Sequence, residues 1–364
     1  MHSRLTTLLL AITLLASGVE AQKPAIPLPP GKGLSMVQTL ATPTGDRESL
    51  HTIEDISGTG LRWIWSLVEV SNAGDTVRQE FKYGELDGDI RDAKRFWAFH
   101  DTRETGDHPG YTMHAISRAT YRQIVAARPD SFQIMAIETP QGGGIMAGLG
   151  GGRPTPVRWK GILSLASPSP VPFPLLVNGQ RVTVQALHLR GQLAFRDRKW
   201  TPEFWILADS AYPMLLKWVG AASEPTNILQ TTRIDFPSTS VETQLTKECR
   251  ADLPGIYFAF NSAVLDSTSN RSIASVADIL TRHPDWSLTL EGHTDNVGSA
   301  GANRTLSERR VAAVKSRLVT AHRIAEGRLR AAGFGSDRPR EPNTTSEGRA
   351  RNRRVELVRE CGKP

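Results

Sequence analysis

The chain of 364 residues carries a formal net charge of +7 and only two cysteines; at about 150 residues per domain it has room for two domains, each able to bury its own core. The charge is uneven, with +5 of the +7 lying between Ala251 and Pro364 and coming from arginine more than lysine, whose planar fork suits two-point contact with carboxylates or phosphates. A basic balance raises nucleic acid as a partner, but the N-terminal residues argue against it by sending the chain out of the cytoplasm.

Those residues place Arg4 ahead of an apolar run from Leu8 to Ala16 and end it with small residues at Val19-Glu20-Ala21, the order of an export signal. Residues 1–21 are therefore expected to be a signal peptide, cleaved after Ala21. The run is too short for a transmembrane helix of about 20 apolar residues, and no cysteine stands near the cleavage point to take a lipid. Residues 22–35 begin QKPAIPLPPGKG, and repeated proline predicts an extended, solvated linker.

Residues 36–245 predict a β-rich antiparallel domain of unknown function. Leu61, Trp63, Trp65 and Leu67 alternate with Arg62, Ile64 and Ser66, a half-buried strand pattern. Further strands are expected at 79–83, 95–99, 132–137, 158–165, 181–188, 203–207 and 214–219. Asn178-Gly179 between apolar runs predicts a tight hairpin, since both residues tolerate positive φ. One helix is expected at 113–127 from Ile116, Tyr121, Ile124 and Val125. The runs 142–144 and 150–152 are all glycine but lack the Gly-Lys-Ser/Thr ending of a phosphate loop, so a surface loop is expected. An eight-stranded transmembrane barrel needs strands of about 9 to 11 residues with an unbroken lipid face; shorter strands and Pro168, Pro170, Pro172 and Pro174 favour a soluble domain. His100, His108, His114 and His188, with Asp101 and Asp107, show no metal-ligand spacing and read as scattered surface histidines. No Gly-x-Ser-x-Gly elbow supports hydrolase chemistry.

Cys249 and Cys361 bracket the basic segment 249–361 and predict one disulfide in an oxidising compartment. It would close a loop for which chain entropy allows up to about 4.7 kcal/mol. Inside the segment, an apolar strand is expected at 256–260 and a helix at 272–282 facing inward through Ile273, Val276, Ala277 and Leu280, ended by Pro284. A strand at 287–292, a helix at 306–321 and a last strand through Arg353, Val355 and Leu357 follow. This is a layered α/β domain with helices on one side of its sheet; with the β-rich region, the whole chain is α+β. Asp295 falls in a loop past the third element, with Asn303 and Thr305 as caps for the next helix. Leu306, Arg310 and Val314 share a helix face, so Arg310 points partly inward and needs a partner, while Arg309 is solvated. Either Asp295 and Arg310 form a structural ion pair, or together they grasp a zwitterion, the carboxylate taking an ammonium and the guanidinium a carboxylate.

The run GHTDNVG, Asn303, LSERR, Gly333-Phe334-Gly335, Pro339, Asn343 and GRARNRRVE resembles the OmpA-like C-terminal domain that binds peptidoglycan, over about residues 254–359. The resemblance implies a βαβαβ-type sandwich and non-covalent binding of the stem peptide through its diaminopimelate. It implies that Asp295 and Arg310 grip the diamino acid, that Asn303 and Arg353 support them, and that Thr294 and Asn261 match further positions of the pocket. Val311 and Ala302 depart from the family's usual alanine and aromatic, which widens the pocket rim without removing a charge. The expectation is a periplasmic, wall-associated binding protein, not an enzyme and without metal or cofactor. Its partner would be peptidoglycan, with outer-membrane or other envelope proteins beside it and no nucleic acid. The rival expectation makes the middle region a lipid or ligand carrier, or an envelope enzyme, with the C-terminal domain only its anchor.

Overall fold

The computed structural model describes residues 26, 29–42, 45–57, 60–70, 76–97, 106–138, 155–220, 228–236 and 240–361. The expected signal peptide, the glycine runs, His100 and Asp101 lie outside these residues. Among the described residues, no helix is long and apolar enough to cross a membrane.

The N-terminal part is built on strands β1 (Ser35–Thr42), β2 (Gly45–Ser57), β3 (Gly60–Val70) and β4 (Thr76–Leu86), an antiparallel meander. Helix α1 (Asp87–Asp92), β5 (Arg95–Trp97), β6 (Gly106–Asp107) and α2 (Arg118–Val125) follow. Then come β7 (Asp130–Glu138), β8 (Thr155–Leu165), β9 (Val171–Val177), β10 (Gln180–Phe195), β11 (Arg198–Trp200), β12 (Glu203–Leu207), β13 (Leu215–Val219) and β14 (Ile228–Asp235). Among the described residues these strands make one 14-stranded sheet in the order β5-β7-β8-β10-β12-β13-β14-β1-β2-β3-β4-β6, with β9 and β11 attached at β10. Thr112, just past β6, exchanges backbone hydrogen bonds with Arg95 and Trp97 of β5, so both ends of the order return to one place.

Alternation explains which face each strand buries. In β10, Val184 and Ala186 enter one core with Met36, Ile53, Trp63 and Leu175, while Leu187, Leu189 and Leu193 enter a second with Ile134, Trp159 and Trp218. The buried face therefore changes between Ala186 and Leu187. Exposed positions include Gln185, Arg190 and Gln192 in β10 and Arg158, Lys160 and Ile162 in β8.

Asn178 and Gly179 form the hairpin turn between β9 and β10 at φ 46° and 74°. Of the four prolines expected to interrupt this region, Pro168 and Pro170 precede β9, while Pro172 and Pro174 are part of it and take outward positions as Phe173 and Leu175 are buried. Proline is tolerated where no ladder donor is needed. The expected helix at 113–127 is corrected to α2, which Ser117 starts by accepting the N–H of Thr120. Met113, Ala115 and Ile116 thread the cores instead, with Ala115 bridging Met214. The proline-rich segment is not wholly a solvated spacer, since Ile26 and Leu34 are buried in the first core. His114 is not a surface histidine either; it is 2% exposed and bonds the Tyr83 hydroxyl at 2.6 Å.

The C-terminal part comprises α3 (Ser240–Glu248), β15 (Arg250–Asp252), α4 (Ser269–Arg282), β16 (Leu288–His293), α5 (Ala300–His322), β17 (Leu329–Gly335), α6 (Ser346–Asn352) and β18 (Val355–Arg359). Its sheet runs β15-β18-β16-β17, with β16 and β17 parallel and β18 antiparallel to β15 and β16. The inward face of α4 (Ile273, Val276, Ala277, Leu280) meets Val311, Val314 and Leu318 of α5 and Leu288, Leu290 and Leu357 of the sheet, each large side chain contributing about 1.5–3 kcal/mol by burial. Val241 and Leu245 of α3 belong to this core, although the sequence reading assigned residues up to 245 to the preceding region. Cys249 and Cys361 are bonded, with Cα atoms 6.0 Å apart.

Three expectations are corrected. Residues 256–260 make only one bridge, Phe258 to Leu265, before Asn261 turns at φ 49°; β15 takes the edge of the sheet, because Tyr257 and Phe258 are drawn to other partners. Helix α5 starts at Ala300, not Leu306, because Ser299 accepts the N–H of Ala302; Asn303 and Thr305 lie inside it. Strand β17 was not anticipated, since its alanines and glycines have little strand propensity. Those glycines are needed: a Cβ on Gly333 would lie 2.4 Å from the Glu308 nitrogen, and one on Gly292 2.7 Å from the Ser307 oxygen. The first turns of α5 thus rest directly on the strand ends, which carries Arg310 over them.

Candidate functional site

The loop after β16 is held by its own residues. The Thr294 N–H donates to the Gly335 carbonyl at 2.9 Å and its hydroxyl to the Asp295 carbonyl at 2.8 Å. Asn303, buried on α5, donates its side-chain amide to the carbonyls of Asp295 (3.2 Å) and Val297 (3.1 Å). The Asp295 carboxylate is thereby fixed at the loop's edge, where Oδ1 accepts the Val297 N–H at 3.0 Å and Oδ2 accepts Arg353 Nη1 at 2.7 Å.

Arg310 does not hydrogen-bond Asp295. Its Nε donates to the Ser262 carbonyl at 2.9 Å and its guanidinium lies 4.9 Å from the centre of the Phe258 ring. Burial pulls its pKa down to about 10, with Arg353 adding to the fall and Glu48 and Asp295 opposing it. Among the described residues it has no hydrogen-bonded carboxylate, so the ion-pair expectation for Asp295 and Arg310 is not met. Arg309 is exposed, as expected.

Arg353, between α6 and β18, is the busiest cation here. Besides Asp295 it bonds Glu48 (Nε to Oε1, 3.0 Å) and Asp46 (3.2 Å), both from β2. Burial disfavours its charge, but Glu48, Asp295 and Asp46 outweigh that and hold its pKa above the ordinary arginine value. Burial also pushes Glu48 up, yet Arg353 and Arg233 hold that carboxyl below its usual range. Of the residues singled out from sequence, Thr294, Asn303 and Arg353 gather around Asp295, while Arg310 meets Arg353 in a neighbouring cavity; Asn261 is exposed and stands at the turn before Ser262. Sequence reasoning missed Glu48, Arg233 and Tyr257, which help line a cavity of about 50 Å³ with Phe258, Arg310 and Arg353. Alternation in β2, which puts Asp46, Glu48 and Leu50 on one face, is a signal for Glu48 alone.

These residues reach the pocket through the contact between the two parts. Arg349 grips Asp46 with two bonds of 2.9 and 2.8 Å. Arg233 of β14 donates to the carbonyls of Ala350 and Arg353, and the Tyr257 hydroxyl donates to Asp235 at 2.6 Å. Val37, Leu50 and Tyr257 add a small apolar cluster.

Beside the pocket, Glu291, His293 and Glu356 place ligand atoms within 4.8 Å of one another. The acids are already committed: Arg250 bonds both carboxylates, and Arg340 and Arg354 bond Glu356. Burial raises Glu356, but Arg354, Arg250 and Arg340 bring it to about 2. Burial first and the arginines next lower His293 to about 4, so it is neutral. A dication there would meet more positive than negative charge, and the cluster reads as an ion network.

Residues 257–353 match the OmpA family model. Outer membrane porin F of Pseudomonas aeruginosa is 44% identical over 101 residues, covering 28% of this chain and 29% of that protein. The peptidoglycan-binding protein ArfA of Mycobacterium tuberculosis is 42% identical over 103 residues, covering 28% of this chain and 31% of the relative. The chain thus spans less than a third of the length of either relative. Among solved structures, the peptidoglycan-associated lipoprotein of Burkholderia pseudomallei aligns at 26% identity and TM-score 0.27, over 29% of this chain and 88% of that one.

Proposed function

We propose that the OmpA-family domain at residues 257–353 binds peptidoglycan non-covalently, holding the diaminopimelate of a stem peptide between Asp295 and Arg310, and so tethers the β-rich sheet to the cell wall in the periplasm. The observation that carries this reading is Arg310 itself. A half-buried guanidinium, bonded to a carbonyl and stacked on Phe258, is set to receive a carboxylate in bidentate fashion. Asp295, fixed by Thr294, Asn303 and Val297, offers the complementary charge for an ammonium. Similarity to a relative named for peptidoglycan binding supports the ligand class, and a basic, arginine-rich domain fits an acidic cell-wall peptide.

Co-sedimentation of the full chain with purified sacculi tests the reading. Asp295→Ala and Arg310→Ala should each weaken binding by at least about tenfold, the loss of one charge-assisted contact of roughly 1.5–3 kcal/mol, with the melting transition preserved. Undiminished binding by both variants would sink the proposal.

A further inference from the structure

Strand β2 faces the C-terminal part through Asp46, Glu48 and Leu50, while His51 and Ile53 face the other way, Ile53 into the first core and His51 to the Tyr83 hydroxyl. Glu48 lines the same cavity as Arg310 and Arg353 and is bonded to Arg353. The enclosed space beside it measures about 50 Å³, room for a few water molecules. The carboxylate thus stands in the cavity that Arg310 lines, next to Arg353, which also holds Asp295.

We propose that Glu48 is a built-in occupant of this pocket: its carboxylate stands where a carboxylate of the cell-wall peptide would stand, before Arg353 and Arg310, and the ligand binds by exchanging with it. The inference rests on the peptidoglycan reading and adds to it a competitor supplied by the chain's own β2.

The geometry suits exchange. The Glu48 side chain is 34% exposed, so it can swing into water. Arg353 stays compensated when Glu48 leaves, because Asp46 and Asp295 remain bonded to it. Asp46, with its side chain 2% exposed and gripped twice by Arg349, anchors β2 beside the pocket while Glu48 moves. Arg310, facing Glu48 with no hydrogen-bonded carboxylate of its own among the described residues, gains such a partner only when the ligand arrives. The incoming carboxylate replaces the departing one, so local charge is conserved.

The experiment measures binding of a soluble muropeptide carrying meso-diaminopimelate to the full chain by calorimetry, for wild type, Glu48→Gln, Asp295→Ala and the double variant. The expected result is tighter binding by about three- to tenfold for Glu48→Gln, the removal of a competitor worth roughly 1 kcal/mol, with steeper weakening by salt because the variant no longer exchanges one anion for another. Asp295→Ala should lose binding alone and in the double variant. Equal or weaker binding by Glu48→Gln, with Asp295→Ala inactive, overturns the competitor and leaves the peptidoglycan reading standing; weaker binding would make Glu48 a ligand contact. Binding that survives Asp295→Ala in both backgrounds overturns the peptidoglycan reading and the competitor with it. Melting curves of each variant separate these outcomes from misfolding.

Discussion

Two buried carboxylates set the two parts of the molecule apart. Glu85, in the N-terminal sheet and 0% exposed, accepts Trp63 Nε1 at 2.9 Å, the Tyr212 hydroxyl at 2.7 Å and the N–H groups of Met113 (2.6 Å) and His114 (3.0 Å). Burial pushes its pKa up against these four donors, all neutral and all from the same sheet region. Asp295, 8% exposed, accepts one N–H of its own loop and one guanidinium that it shares with Glu48 and Asp46. Glu85 has partners that cannot leave without unfolding, whereas Asp295 has one that can turn to another acid. Burial of a charge therefore does not mark a binding site by itself; under the proposed function, the exchangeable partner is what sets Asp295 apart.

If that distinction holds, the largest effect belongs to Glu85→Ala, which strands four donors and should cost about 4 kcal/mol. Urea unfolding should show this loss, while muropeptide binding measured well below the melting temperature stays at the wild-type value. Coupled loss of binding at equal foldedness would erase the contrast between the two carboxylates.

Next comes acid sensitivity of the C-terminal part. His293 has a folded pKa of about 4 against an ordinary 6.5, so the folded state binds fewer protons than the unfolded one between those values. Its contribution is full above pH 6.5 and is lost as pH falls towards 4, by about 3 kcal/mol. Glu356, lowered to about 2 from 4.5, acts with the same sign over the lower window. Melting temperatures should fall from pH 6.5 to 4, and His293→Gln should flatten that slope; an unchanged slope would assign the sensitivity elsewhere.

The smallest expected stability effect is that of Asp295→Asn, about 1 kcal/mol, because the amide oxygen can still accept the Val297 N–H and Arg353 keeps two acids. Its binding loss should nonetheless exceed tenfold. A stability cost as large as that of Glu85→Ala would make Asp295 a structural residue after all.

Local signals were the legible ones. Asn178-Gly179 announced its hairpin because positive φ at two successive positions is a property of those residues, and the inward face of α4 was readable from its spacing. The inward turn of Arg310, against the exposure of Arg309, followed from the same helical period. Strand β9 was obscured because proline is read as a breaker, although its prolines sit at outward positions that need no donor. Strand β17 was obscured because its small residues serve the close approach of α5. The start of α5 was misplaced because Asn303 resembles a cap, while its amide bonds the carbonyls of the Asp295 loop.

Asp295 and Arg310 could be named from the sequence because the motif that contains them places one at a strand end and the other on the following helix. Which charge meets which could not. Arg353 reaches Asp295 across 58 positions and Glu48 across 305. Those pairings depend on the order of two separate sheets and on how β2 lies against α6, and electrostatic partners chosen by tertiary contact leave no period or spacing in the chain. The Glu48 carboxylate in the cavity is a product of that contact alone.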